Sequence, residues 1–225
     1  MKILSDKKIL DSWKKNASSW IKAIQDNEIE SRRLVTDQAI IETISSLPVK
    51  KALDIGCGEG WLVRRLSTLG ISATGIDAIE TLVSKAKDLG GGSFKTLEYT
   101  DISVSTINET YDIAICNFSL LGEESVDHIF KSILSLINVG GHFVIQTPHP
   151  ITSCGDQPYV DGWREGSWIG FSDDFSDPAP WYFRTKESWI ELFNTHGLII
   201  NEVKEPIHPK TGKPTSLILV GSHAT

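Results

Sequence analysis

Residues 52–80 read ALDIGCGEGWLVRRLSTLGISATGIDAIE, with Gly56, Gly58 and Gly60 at alternate positions, Asp54 just before them and Glu59 among them. Glycines in a loop let backbone N–H groups approach a ligand with no Cβ in the way. A dinucleotide loop has the pattern G-x-G-x-x-G, which rests a pyrophosphate on a helix start. Here Trp61 stands where the last glycine of that pattern would be. Two carboxylates beside a pyrophosphate repel it, whereas they suit a cation, such as a sulfonium carrying an α-amino group. Further on, Asp77 closes a second apolar run, where a carboxylate can accept hydrogen bonds from both hydroxyls of a ribose. Asp101 and Ile102, in YTDIS, offer an acceptor for an adenine amino group and an apolar surface for its face. His149, in TPHP, is an imidazole suited to general-base work.

Each of these residues also has a plainer reading. The glycines fit a tight strand-to-helix turn, Asp77 an N-cap before AIETLV, and Asp101 a turn or cap. His149 fits a loop histidine with a structural hydrogen bond. Cys57 and Cys116 read as small buried residues.

The elements that would position these groups follow from hydrophobic periodicity. Residues 5–47 read as helical, with Trp13, Ala17, Trp20, Ile21 and Ile24 at three-to-four spacing, and Pro48 breaks the pattern. Strands and helices then alternate: KKALDIG, SATGID, SFKTLEY, YDIAICNF and HFVIQTP as strands, with helices between. EESVDHIFKSILSLINVGG reads as one helix ended by Gly140 and Gly141. This alternation predicts a parallel sheet with helices on both faces. In such sheets ligands bind beyond the carboxyl ends of the strands. TKESWIELFNTHG is a helix with Thr185 as N-cap, and LIINEVKEP and TSLILVGSH pair antiparallel across a short connection. The domain plan is one domain: an N-terminal helical cap (1–47), a core (48–147), an insertion (148–184), and a closing helix with two strands (185–225).

The insertion is long, irregular and rich in proline and tryptophan. It places Trp163, Trp168, Phe171, Trp181, Tyr182 and Phe183 around Arg164, Glu165 and Arg184. It reads as an aromatic lid over an acceptor pocket, with Trp163, Trp168, Trp181 and Tyr182 as candidate substrate contacts. A small subdomain with its own core, or a homodimer contact, is the other reading of the same residues.

With 225 residues, 40% hydrophobic and 23% charged, the chain has the composition of an ordinary globular domain. A net charge of −7 argues against a nucleic-acid partner. No window has the length and apolarity of a membrane span, and the charged start lacks a signal-peptide core. The three cysteines show no CxxC spacing and the histidines are scattered, so neither a disulfide framework nor a metal site is expected. A reducing cytoplasm is the expected compartment.

The motifs LDIGCGEG, GIDAIE, YTDIS, YDIAICNFSLL and LINVGGHFVIQTPHP, in this order, make the chain resemble a class I S-adenosylmethionine-dependent methyltransferase of the ubiquinone/menaquinone-biosynthesis-like type. The resemblance implies a Rossmann-like seven-stranded α/β sheet, mostly parallel, with the last strand antiparallel. It implies that Asp54, Gly56, Cys57 and Gly58 contact the methionine part of the cofactor. Asp77 and Ala78 would hold the ribose, Asp101 and Ile102 the adenine, and Asn117 and Phe118 would line the site near the sulfonium. Members of the family often carry an aromatic N-terminal helix over the cofactor, a role open to Trp13 and Trp20, for which simple core packing is the other reading. Arg33 is favoured over Arg32 to pair the cofactor's carboxylate, with a solvated helix face as the other reading for at least one of them. The end of the fourth strand reads NFSL rather than the Asn/Asp-Pro-Pro-aromatic motif of enzymes that methylate planar amino groups. The expected activity is therefore methyl transfer to an oxygen or carbon of a small, aromatic or apolar acceptor, with His149 as base where a proton must leave. The rival readings are a nicotinamide-dependent oxidoreductase, against which Trp61 counts, and a non-catalytic cofactor-binding module acting through a partner.

Overall fold

The structure, a computed structural model, describes residues 4–224. Along the chain come helices α1 (Asp6–Gln25) and α2 (Asp37–Ser45), strand β1 (Lys51–Ile55), α3 (Trp61–Thr68), β2 (Ser72–Asp77), α4 (Glu80–Leu89) and β3 (Ser93–Thr96). Next are α5 (Val104–Ile107), β4 (Tyr111–Asn117), α6 (Glu124–Leu136), β5 (Ile137–Pro148) and α7 (Pro150–Ser153). Then follow β6 (Gly162–Arg164), β7 (Trp181–Phe183), α8 (Lys186–Thr195), β8 (Leu198–Lys204) and β9 (Ser216–His223).

Seven strands form one sheet in the order β3-β2-β1-β4-β5-β9-β8. The pairs among β1 to β5 are parallel, and β9 runs antiparallel to both its neighbours, β5 and β8. Order reverses at β1 and β4, so the loops after these two strands flank a crevice at the carboxyl edge.

The period-two alternation of each buried strand divides the core between two faces. Leu53, Ile55, Ala114, Cys116, Leu217 and Leu219 face one layer, with Phe130 of α6 and Trp189 and Phe193 of α8. Ala52, Ile113, Ile115, Ile218 and Val220 face the other, with Ile40 and Ile44 of α2 and Leu62, Val63 and Leu66 of α3. A third, smaller cluster joins α1 to the start of α4 through Ala17, Ile79 and Leu82.

Several elements differ from the sequence expectation. The helical 5–47 region is interrupted: Asn27 takes a left-handed conformation (φ 55°), and Arg32–Thr36 form a π-helical turn leading into α2. α6 ends at Leu136 rather than running to Gly141, and the following INVGG is already extended, Ile137 pairing with Tyr111 of β4. The β-branched Ile137 and Val139 favour the extended chain, and Gly140 turns it at φ 76°. Thr185 caps α8 as expected, its side chain accepting from the Ser188 N–H. Residues 148–184 are not wholly irregular, because β6 and β7 pair as a short antiparallel ribbon. The Tyr182 N–H of that ribbon donates to Leu121 O at 2.8 Å, anchoring it beside the loop after β4. No helix among the described residues is long and apolar enough to cross a membrane.

Candidate active site

The loop after β1 turns on three left-handed glycines, Gly56, Gly58 and Gly60, at φ 76°, 57° and 82°. They are not equivalent. A Cβ on Gly56 would lie 2.3 Å from both Tyr99 Oη and Ser119 Cβ, and one on Gly60 would press into Phe94. Beside Gly58 the first atom met is Trp20 Nε1, at 3.8 Å. The outer glycines thus permit packing, while Gly58 leaves its surface bare. Around Gly56 a small clamp forms: Ser119 Oγ donates to Ile55 O at 2.6 Å and Tyr99 Oη donates to Ser119 O at 3.1 Å. This ties the tips of β1 and β4 together. Phe118, just past β4, is held at φ 54° with its N–H donating to Gln146 O at 2.7 Å. A left-handed phenylalanine is strained, and such strain persists where neighbours enforce it.

Asp77, at the tip of β2, accepts from the Gly58 N–H and the Ile79 N–H, both at 2.9 Å. It therefore shapes the glycine loop and caps the entry to α4 at once. Asp54 is buried at the end of β1, and its Oδ1 has no hydrogen-bond partner among the described residues. Burial, and then the Asp77 carboxylate, push its carboxyl up to about 8. Burial also raises Asp77, against the lowering pull of its two N–H donors. Glu59 is buried and held by Arg64, which contacts one carboxylate oxygen, while Oε1 is unpartnered.

These loops border a cavity of about 830 Å³. It brings together Gly56, Cys57, Gly58, Asp77, Ala78, Asn117, Phe118 and Trp20 of the expected cofactor set, and Trp168 and Trp181 of the expected acceptor set. Other expected residues lie elsewhere. Asp54 sits behind the cavity wall. Asp101 is exposed and Ile102 is buried, its carbonyl facing His128, while Glu98, Tyr99 and Thr100 line the cavity instead. Arg33 is exposed and off the cavity. Arg32 takes the lining position, its guanidinium 4.6 Å above the Trp61 ring and its Nε donating to Asp37 at 2.9 Å. Trp163 and Tyr182 pack edge-on against each other away from the cavity, and the Trp163 indole donates to Glu123 at 2.9 Å. His149 is 1% exposed and does not line the cavity, because its Nε2 turns to Glu205 Oε1 at 3.0 Å.

Tyr99, Ser119 and Thr36 are site residues that the sequence reading did not name. Tyr99 was hidden inside an apparent strand, yet it sits in a 3-10 turn beyond β3. Thr36 belongs to the π-helical turn, whose facing an ordinary helical period does not give.

A family model described as a methyltransferase domain matches residues 30–202. The chain is 25% identical over 211 residues to a ubiquinone biosynthesis O-methyltransferase of Rickettsia canadensis (strain McKiel), an alignment covering 88% of this chain and 89% of that protein. Among solved structures, an S-adenosylmethionine-dependent methyltransferase from Mesorhizobium loti has a TM-score of 0.63 at 21% identity, covering 81% of this chain and 96% of that one. Magnesium protoporphyrin IX methyltransferase from Synechocystis PCC 6803, solved with S-adenosylmethionine bound, has a TM-score of 0.56 at 18% identity, covering 84% and 77%. The chain belongs to the methyltransferase-domain family, in its class I S-adenosylmethionine-dependent branch.

The residues present fit that cofactor. Buried polar atoms on cavity-lining residues lack partners among the described residues: Glu59 Oε1, Thr36 Oγ1 and Asn117 Oδ1. Unmet acceptors of this kind are costly in a finished interior and suit a ligand with donors. Asp77 and Glu59 offer negative charge to a cation, and Arg32 offers a donor to a carboxylate.

Proposed function

We propose that this protein moves a methyl group from S-adenosylmethionine to an oxygen or carbon of a small, planar or apolar metabolite. One observation carries the reading: Trp168 and Trp181 of the insertion and Trp13 of α1 line the same cavity as the glycine loop. An aromatic acceptor surface therefore adjoins the cofactor surface, under one roof. The ubiquinone O-methyltransferase relative agrees with an aromatic oxygen acceptor.

When bound, the cofactor supplies a methyl group already activated on a sulfonium. The chain's share is then alignment and exclusion of water. Gly58, Asp77 and Ala78 hold the nucleoside side, and Arg32, Thr36 and Glu59 the amino-acid end. Phe118, fixed in its strained turn, stands between the two halves beside Asn117. The tryptophans hold the acceptor flat and keep water out. Because His149 is turned to Glu205, this reading assigns it no proton. It favours acceptors whose nucleophilic atom needs no base from this chain, such as an acidic phenol or an activated carbon.

The test has two stages. Titration calorimetry should find one site for S-adenosylhomocysteine and none for NADH, the latter outcome setting aside the oxidoreductase reading. Methyl-labelled S-adenosylmethionine incubated with the protein and a metabolite extract should then yield a labelled small molecule by mass spectrometry. Binding without any labelled product would favour the non-catalytic module.

A further inference from the structure

The cavity's roof consists of two pieces of chain far apart in sequence, α1 and the loop 165–180 of the insertion. They meet at Asn16, which is 1% exposed and does not itself line the cavity. Its Nδ2 donates to Ser176 O at 2.7 Å, and its Oδ1 accepts from the Ser176 N–H at 2.9 Å. Nδ2 also donates to Ser12 O at 2.8 Å. Both amide hydrogens and the carbonyl are thereby used, an arrangement only Asn or Gln chemistry supplies.

The same seam continues on either side. Ser12 Oγ donates to Asp177 O at 2.5 Å, Ser19 Oγ to Asp174 O at 3.0 Å, and Lys8 pairs with the Asp177 carboxylate at 2.6 Å. Trp13 meets Trp168 edge-on at 5.8 Å, and Trp20 meets Phe171 at 6.3 Å. On its other side, Trp20 stands against Gly58 of the cofactor loop. The helix thus touches the cofactor loop with one residue and carries the acceptor wall with others.

We propose that Asn16 is a positioning residue that joins the α1 roof over the cofactor to the acceptor wall 166–177, so that cofactor binding sets the acceptor pocket. The proposal rests on the methyltransferase reading above. Its thermodynamic content is a coupling between two binding sites, which is reciprocal. Asn16 touches neither ligand surface; it acts through Trp13, Trp20, Trp168 and Phe171.

Hydrogen exchange of the full chain, with and without S-adenosylhomocysteine, tests it without a known acceptor. In the wild type the ligand should slow exchange roughly tenfold in both α1 and 166–180. In Asn16→Ala it should still slow α1 and leave 166–180 unchanged. A purely structural role would instead speed exchange alike with and without ligand. If Asn16→Ala does not fold, Asn16→Asp, which keeps the acceptor for Ser176 N–H and loses the donor to Ser176 O, should show partial coupling. Full ligand-dependent slowing of 166–180 in either folded variant overturns the proposal, as does wild-type slowing confined to α1. Absence of ligand-dependent slowing anywhere in the wild type would overturn the cofactor reading together with it.

Discussion

Asp54 shows how one buried acid links the site to pH. Its carboxyl rises from an ordinary 3.8 to about 8, through burial first and Asp77 second. An acid whose folded value exceeds its unfolded value keeps its proton in the fold, so unfolding releases that proton and stability falls as pH rises. The window runs from about 4 to about 8, and Asp77, also raised by burial, acts in the same direction. We expect the urea midpoint of the ligand-free protein to fall across this window, and to fall less in Asp54→Asn. The two slopes should differ by up to one proton, about 1.4 kcal/mol per pH unit. Equal slopes would mean Asp54 is ionised throughout. Asp112 and Glu205, whose hydrogen-bond partners lower them, are common to both proteins and cancel in the comparison. Arg32 gives a second prediction at this scale. Arg32→Ala should weaken S-adenosylhomocysteine about tenfold in calorimetry, the cost of a charge-assisted hydrogen bond, while leaving 5′-methylthioadenosine unaffected. Arg33→Ala should change neither. The cavity position of Gly56, Gly58 and Asp77 could be read in advance because they sit at strand tips, where spacing is strict, whereas Asp54 and Asp101, placed by the same reasoning, lie off the cavity. The choice between Arg32 and Arg33 could not be read, because a π-helical turn shifts which residue faces inward.

The strand tips and their loops are held by packing as much as by local preference. Gly56→Ala should cost about 2–5 kcal/mol, combining a left-handed alanine with overpacking against Tyr99 and Ser119. Gly58→Ala, whose Cβ would meet only Trp20 Nε1 at an ordinary contact distance of 3.8 Å, should cost only the conformational part, about 1–2 kcal/mol. Denaturant unfolding of the two variants separates these cases; equal losses would mean the Tyr99–Ser119 clamp yields freely. The alternation of β1 to β5 with α3, α4 and α6 could be read in advance because buried parallel strands and amphipathic helices have distinct periods. The start of β5 could not, since INVGG continues an apolar helical pattern, and its extension is secured where Ile137 pairs with Tyr111 of β4. Nor could the position of His149: its place after β5 pointed to the ligand edge, whereas Glu205, from beyond β8, draws the ring away.

At the scale of the whole molecule, the balance of charge around the cavity gives a prediction about the acceptor. Among the described residues, six acidic side chains line the cavity against three basic ones. The two buried arginines of the insertion are committed elsewhere. Arg164 donates to Gln157, Pro158 O and Val160 O, and Arg184 to Gly122 O and Glu123 O. A cleft of one dominant sign disfavours ligands of the same sign. For an acceptor identified by the labelling experiment, we expect kcat/KM for an analogue carrying an added carboxylate to be at least about tenfold below that for the analogue carrying an added amine. The gap should narrow at high salt, as screening requires. A carboxylated acceptor turned over as fast as the amine would contradict this balance. The aromatic character of the pocket was visible in the sequence, but its electrostatic balance was not, because it depends on which charged groups the fold leaves facing inward.

The place of β9 has a consequence for how the protein is made. It is inserted between β5 and β8, yet it comes after both in the chain. A nascent chain emerging from the ribosome therefore exposes one ragged margin of β5 and another of β8 until Ser216–His223 arrive to close the gap. Everything needed for the glycine loop is synthesised early, but the sheet that steadies it is completed only once Ser216–His223 have been made.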